Sequence, residues 1–215
     1  MTEPAQLAVV GEGTATGVPD RCIVHASLNA MAESVADAVS RVAVLASQVS
    51  ESLRASGLDP ADIRTTNINV NDLFEQTKQK VTARVASYQL EITVRELDKL
   101  GEHLAGLVSV AGDALQVRGL QLTIADFQPL IREARIHAMT DARNKAVQLA
   151  EAAGLRLERI VSIEEGSSAR GIPFQAFGAT RLMSGAGAAT AAQIHVEPGS
   201  LSVSSGVAVT FELSE

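Results

Sequence analysis

LIREARIHAMTDARNKAVQLAEAAG, residues 130–154, decides how the rest of the chain is read. Leu130, Ala134, Ala138, Ala142, Ala146 with Leu149, Ala150 and Ala153 recur every three or four residues, which places them along one face of a helix. Most of them are alanine. A smooth face of small residues lets a helix lie close against a sheet, while the intervening Arg, Lys, Asp and Glu point into water. Asp141 and Lys145 stand four apart in the favourable order, worth about 0.2–0.5 kcal/mol. The stripe is core architecture, not a reactive centre.

Outward from this helix the pattern changes period. Leu115 to Ala125 and Arg156 to Glu165 read as strands on either side of it, with Phe127 opening the helix and Gly154 closing it. Residues 166–199 are rich in Gly, Ala and Ser and keep no steady period, which makes them a long flexible loop. Loops beyond about 12–15 residues inside compact domains tend to be functional or disordered. After Pro198-Gly199, Leu201, Val203, Val207, Val209, Phe211 and Leu213 alternate as a final half-buried strand.

Toward the N-terminus, Leu7 to Thr14 and the alternating run Arg21 to Met31 flank the turn residues Gly17, Pro19 and Asp20 and read as a hairpin. Ser34 is the expected cap of a helix, with Asp37 three residues on and Val35, Val39, Val42, Leu45, Ala46, Val49 and Leu53 as its buried stripe. Gly57 and Pro60 end it. Residues 62–76 and 80–96 form a second hairpin, and the opposite parity of Val81, Ala83, Val85 and of Tyr88, Leu90, Ile92, Val94 calls for a bulge near Ala86 or Ser87. A shorter helix follows Asp98, with Leu100, Leu104, Leu107, Val108 and Ala111 inward and Gly112 at its end.

The expected fold is α+β: two strand-helix-strand-strand units, over about 21–95 and 114–213, forming antiparallel sheet with helices packed on one face and the alanine-rich helix central, all within a single domain 1–215. At 215 residues about 70% of the unfolded chain's surface can be buried, so disulfides are not needed. The lone Cys22, amid Val24, Ala26 and Leu28, reads as a small buried hydrophobe. A net charge of −7 with no Trp and one Tyr excludes nucleic acid as the natural partner, since phosphate binding needs clustered Lys and Arg and single strands need stacking rings. No stretch approaches the ~20 apolar residues of a membrane span. The start, MTEPAQLAVVGEG, shows neither a basic segment nor an apolar core of a secretory signal, so the expected location is cytoplasmic, or exported if a leader was removed.

Gly11, Gly13 and Gly17 follow a strand, but a dinucleotide site needs the third glycine to open a helix, and here Pro19 and another strand come next; the glycines read as turn residues. His25, His103, His137 and His195 lie on four elements without metal-ligand spacing. Glu33 and the Glu164-Glu165 pair read as solvated ends of elements, and Ser167-Ser168 and Ser204-Ser205 lack a nucleophile elbow. No catalytic, cofactor-binding or metal residue is assigned.

VVGEGTATGVPDRCIV, GLDPADIRTTNINV, SYQLEITVRELDKLG, EARIHAMTDARNKAVQLAEAAGL and VEPGSLSVSSGVAVTFEL together resemble the SIMPL-domain (DUF541) family over nearly the whole chain. The resemblance implies an α+β fold of strand-helix-strand-strand units, oligomers in some members, and no established catalytic activity. It points to a non-enzymatic, self-associating binding or scaffold protein linked to stress tolerance or the bacterial envelope: a homo-oligomer without cofactors. Ile172, Pro173, Phe174, Phe177, Leu182 and Met183 form the candidate interaction loop, because clustered apolar residues in a loop can make a partner-binding patch. The competing class is a small-ligand carrier or enzyme with a site between the two halves, for which His25, Glu33, Tyr88 and Arg135 would have to meet in one pocket.

Overall fold

Residues 130–154 lie in α3 (Gln128–Ala152) of the computed structural model, which describes residues 5–75, 80–166 and 197–215. Pro129 sits in the first turn, where its missing N–H removes no helical bond. Gly154, at φ +72°, ends the helix: its N–H bonds Glu151 O at 3.0 Å, and Leu155 N bonds Ala150 O at 2.9 Å. Ala134, Ala138, Ala142, Ala146 and Ala150 are all buried. Leu149 and Ala153, expected in the stripe, are exposed: Leu149 is a full helical step off the line of alanines, and Ala153 is past the last turn.

The other elements are β1 (Ala5–Gly17), β2 (Arg21–Ala32), α1 (Val35–Ala55), β3 (Ile63–Glu75), β4 (Lys80–Val94), α2 (Leu100–Ala111), β5 (Leu115–Thr123), β6 (Arg156–Glu165) and β7 (Leu201–Ser214). They form two antiparallel sheets, ordered β1-β7-β6 and β3-β4-β2-β5, and the fold is α+β. Two compact units result, one holding β1, α3, β6 and β7, the other β2 to β5 with α1 and α2. Each contains a strand-helix-strand-strand series, β1-α3-β6-β7 and β2-α1-β3-β4, whose first strand pairs with its last. β5, grouped by sequence order with the later residues, hydrogen-bonds to β2.

β1 and β2 do not form the expected hairpin. β1 pairs with β7 without a break from Ala5↔Leu213 to Gly17↔Leu201, and β2 lies between β4 and β5. The turn chemistry at residues 17–20 redirects the chain without pairing the strands it joins. Gly11 and Gly13, read from sequence as turn residues, sit in the middle of β1 and face α3. A Cβ at Gly11 would overlap Ala138 O and come within 2.6 Å of Ala142 N; one at Gly13 would overlap the backbone of Ala134 and Ala138. Hydrogen in place of a side chain is what lets the helix rest on the strand. Val9 from β1, and Val207, Val209 and Phe211 from β7, complete this core.

The same helix closes the outer edge of β1. Lys145 Nζ donates to Val10 O at 3.1 Å, Glu12 N donates to Asp141 Oδ2 at 2.8 Å, and His137 Nδ1 lies 2.7 Å from Thr14 O. Side chains four apart on α3 thus meet backbone groups two apart on β1, in the place a neighbouring strand would occupy. Lys145, and then the Glu12 N–H, hold the Asp141 carboxyl below the usual carboxylate range. A depressed folded value means stability that is present above about pH 4 and lost as pH falls through the folded value. Asp141→Asn is therefore expected to lower the thermal midpoint at pH 7, with the gap to the parent closing toward pH 3; melts at both pH values check it.

In the other unit α1 and α2 cover one face of the four-stranded sheet. Ser34 caps α1 as expected, its Oγ accepting from Asp37 N at 3.1 Å and donating to Asp37 Oδ2 at 2.7 Å. Ala38, Val42, Ala46, Val49 and Leu53 face the sheet, whereas Val35 and Val39 are exposed; the buried line runs through Ala38 instead. On α2, Leu100, His103, Leu104, Leu107 and Ala111 are buried and Val108 is exposed, because the helix turns His103 inward. Asp98 does not cap it but lies in a short 3₁₀ turn ahead of it. No bulge occurs at Ala86 or Ser87: β2 and β4 stay in register from Cys22↔Val94 to Ala32↔Arg84, so Ala86 shares the core face of Leu90 and Ile92. The irregularity on β4 lies at Thr82, where Leu73↔Ala83 is followed by Phe74↔Val81.

Candidate functional site

The face of the four-stranded sheet turned away from α1 and α2 is built from the alternate positions of each strand. Across β3, β4 and β2 the register aligns Arg64, Glu91 and His25 in one row, Asn67, Gln89 and Ser27 in the next, and Asn69, Ser87 and Asn29 in a third. β5 adds Gln116 opposite Ser27 and Gln121 opposite Ile23. Antiparallel sheets commonly solvate one face, and charged or β-branched residues are the usual choice there. Here the middle rows are amides and hydroxyls, with Asn, a poor strand former, at alternate positions 67, 69 and 71.

These groups hold one another in place. Ser87 Oγ donates to Asn29 Oδ1 at 2.6 Å, and both serines of the face, Ser27 and Ser87, are buried beneath their neighbours. An irregularity of β5 between its Gly119 and Val117 pairings directs Arg118 over Ser27, with Nη2 3.5 Å from Oγ. Asn69 Oδ1 is buried with no hydrogen-bond partner among the described residues. At the rim the Glu91 carboxylate takes Arg64 Nη2 at 2.8 Å and lies 3.9 Å from His25 Nδ1. Chemically, the face offers neutral donors and acceptors side by side, with the Arg118 guanidinium over Ser27 and the Arg64–Glu91 ion pair at the rim.

His25, Glu33 and Tyr88, three of the residues an enzymatic site would have to gather, do not share one face of their unit. His25 is on the amide face, whereas Tyr88 is on the opposite, helix-covered face, with its hydroxyl 2.6 Å from Thr65 Oγ1. Glu33 is exposed between β2 and α1, and Arg135 belongs to the other unit, where it pairs with Glu165 at 2.6 Å. A shallow depression of about 400 Å³ lies between β1 and α3, lined by Ala8, Val9, Val10, Lys145, Gln148 and Leu149. Its one charged group, Lys145, is committed to Val10 O and Asp141. Burial pushes the Cys22 thiol up to about 11, so it stays protonated and unreactive at neutral pH. Among the described residues, no cluster of three His, Cys, Asp or Glu could hold a metal, and no helix is long and apolar enough to cross a membrane. Ile172, Pro173, Phe174, Phe177, Leu182 and Met183 of the candidate interaction loop, with nearly all of 166–199, lie outside the described residues.

His103 Nδ1 is 3.0 Å from Ser56 Oγ, which itself donates to Leu53 O, so the ring nitrogen is the donor. Burial lowers the pKa of His103 below the ordinary histidine value, against the raising effect of Glu102. The unfolded chain accordingly takes up a proton that the fold resists, and stability falls as pH drops from about 6.5 through the lower folded value. His103→Leu is expected to remove that part of the pH dependence, read as a smaller drop in thermal midpoint than the parent's between pH 7.5 and pH 5.5.

The amide face and the α3 seal on β1 escape motif searches, because neither is a catalytic or metal pattern. The readable signal for the first was the alternation Asn67, Asn69, Asn71 against Ile68 and Val70. The model of the SIMPL family, described as a protein of unknown function (DUF541), matches residues 7–211. The 26 kDa periplasmic immunogenic protein of Brucella melitensis is 31% identical over 173 residues, 76% of this chain and 68% of that protein; its counterpart in Brucella abortus is 30% identical over the same shares. An uncharacterised protein of Edwardsiella ictaluri, YggE, is 28% identical across 96% of this chain and 87% of its own length. Two of these relatives are periplasmic by name, which overturns the cytoplasmic location expected from the N-terminal residues: a mature or trimmed start looks the same as a start that never had a leader. With the match running from the first sheet strand into the last, the chain belongs to the SIMPL (DUF541) family.

Proposed function

We propose that this chain is a non-enzymatic binding and scaffold protein of the bacterial envelope, which self-associates and works through exposed sheet surfaces in envelope maintenance or stress tolerance. The amide-lined face carries this reading. Its rows of Asn, Gln and Ser place donors and acceptors at the fixed spacing of a sheet, about 4.8 Å between strands, on a rigid support rather than a loop. Export is supported by the relatives named as periplasmic.

Native-mass analysis of the chain isolated from fractionated cells of its own host tests both parts. Recovery from the periplasmic fraction with a retained partner, lost on Asn67→Lys plus Gln89→Lys, is the expected result. Recovery from the cytosol alone, or partner retention unaffected by the two lysines, would reject it.

A further inference from the structure

The two outer edges of the three-stranded sheet differ. β1 is closed by Lys145, Asp141 and His137, whereas β6 has no strand and no helical side-chain ladder along its outer side among the described residues. Every residue of β6 except Leu157 is exposed, and Ile160, Val161 and Ile163 are 41–54% exposed. A strand edge carrying β-branched residues on both faces is a template for another strand. Helix α3 closes the edge of β1; β6 is irregular instead, its pairing with β7 shifting between Leu157 and Ile160 and again between Ile160 and Ser162.

The charges of β6 indicate the occupant. Arg156 and Arg159 stand near its start, with Glu158 between them accepting from Ser214 Oγ at 2.6 Å, and Glu164 and Glu165 at its end. Two parallel copies would oppose like charges; two antiparallel copies oppose unlike ones. A two-fold axis between Ile160 and Val161 sets Arg156 opposite Glu165 of the second copy and Arg159 diagonal to its Glu164, within the reach of cross-strand pairs. Within one chain Arg159 already meets Glu212 and Glu165 meets Arg135, both at 2.6 Å. These are exposed pairs of the kind that contribute little and exchange readily.

We propose that β6 is the self-association edge of this protein: it pairs antiparallel with β6 of a second copy, joining two three-stranded sheets into one of six. The inference rests on the self-association in the proposed function and adds where it occurs. Light scattering of the full chain across a wide concentration range, with two charge-reversal variants, and cross-linking of two cysteine variants test it. The parent should be dimeric or an even multiple. Arg156→Glu with Arg159→Glu, and separately Glu164→Arg with Glu165→Arg, should each lose that association at least tenfold, and an equimolar mixture of the two should recover it as a one-to-one heterodimer. Oxidising a mixture of Ile160→Cys and Val161→Cys chains should cross-link them, which reads the pairing even if the charge variants fold poorly. Association unchanged by both charge variants, without cross-linking, overturns the β6 edge while leaving self-association standing. A parent that stays monomeric throughout overturns both.

Discussion

Gly13→Ala is expected to destabilise the unit built on α3 by about 3 kcal/mol, the upper part of the range for overpacking a core, and to lower its thermal midpoint by roughly 12–24 °C. By intrinsic preference the change should help, because alanine loses less backbone entropy than glycine in a strand. The opposite sign is expected here because the added methyl would overlap Ala134 O and Ala138 N, and neither is the mobile end of a flexible side chain. Relief requires α3 to lift from β1, which also pulls His137, Asp141 and Lys145 away from the strand edge that they close. Gly119→Ala, on β5 with open space around its missing Cβ, is the control and should be neutral or slightly stabilising. Thermal unfolding followed by far-ultraviolet circular dichroism distinguishes the two. Equal effects would show that glycine's backbone freedom, rather than the closeness of the helix, decides position 13.

The contrast between these glycines shows where a one-dimensional reading succeeds and where it stops. The alanine period of residues 130–154 is local: the five positions that are buried in α3 all belonged to the expected stripe. The capped start of α1 was equally legible, since Ser34 and Asp37 satisfy each other within one turn. Gly11 and Gly13 carry meaning only through a partner more than a hundred residues away, so an isolated reading assigned them the turn chemistry that glycine most often serves. The β1–β2 hairpin failed for the same reason. Adjacent strands usually pair, but the small-residue face of β1 is matched to α3, and β7 supplies its hydrogen-bond partner. The candidate site was legible only in fragments. Alternating Asn67, Asn69 and Asn71 could be seen in β3, but their alignment with Ser87, Gln89, Ser27 and Asn29 depends on two registers and a bulge at Thr66 that only the folded sheet reveals.

Leu28→Ala should cost the other unit about 3 kcal/mol, within the range of roughly 2–5 kcal/mol for removing a buried leucine side chain. Leu28 is 0% exposed, at the centre of β2, and the core that it joins contains Val42, Val49 and Leu53 of α1 and Leu100 and Leu107 of α2. A backbone paired on both sides, with β4 and with β5, cannot sink to fill the space, so the loss includes a cavity as well as the lost transfer energy. The chain provides its own reporter. Its single tyrosine, Tyr88, is paired directly opposite Leu28 and is anchored through its hydroxyl to Thr65. Tyrosine fluorescence during urea unfolding should therefore show the midpoint falling by about 1.5 M, taking a slope near 2 kcal/mol per molar. Leu28→Met, which nearly conserves volume, should retain most of the stability. If alanine and methionine cost the same, the shape of the core at β2, rather than the volume it encloses, would be what holds the sheet and its amide face in register.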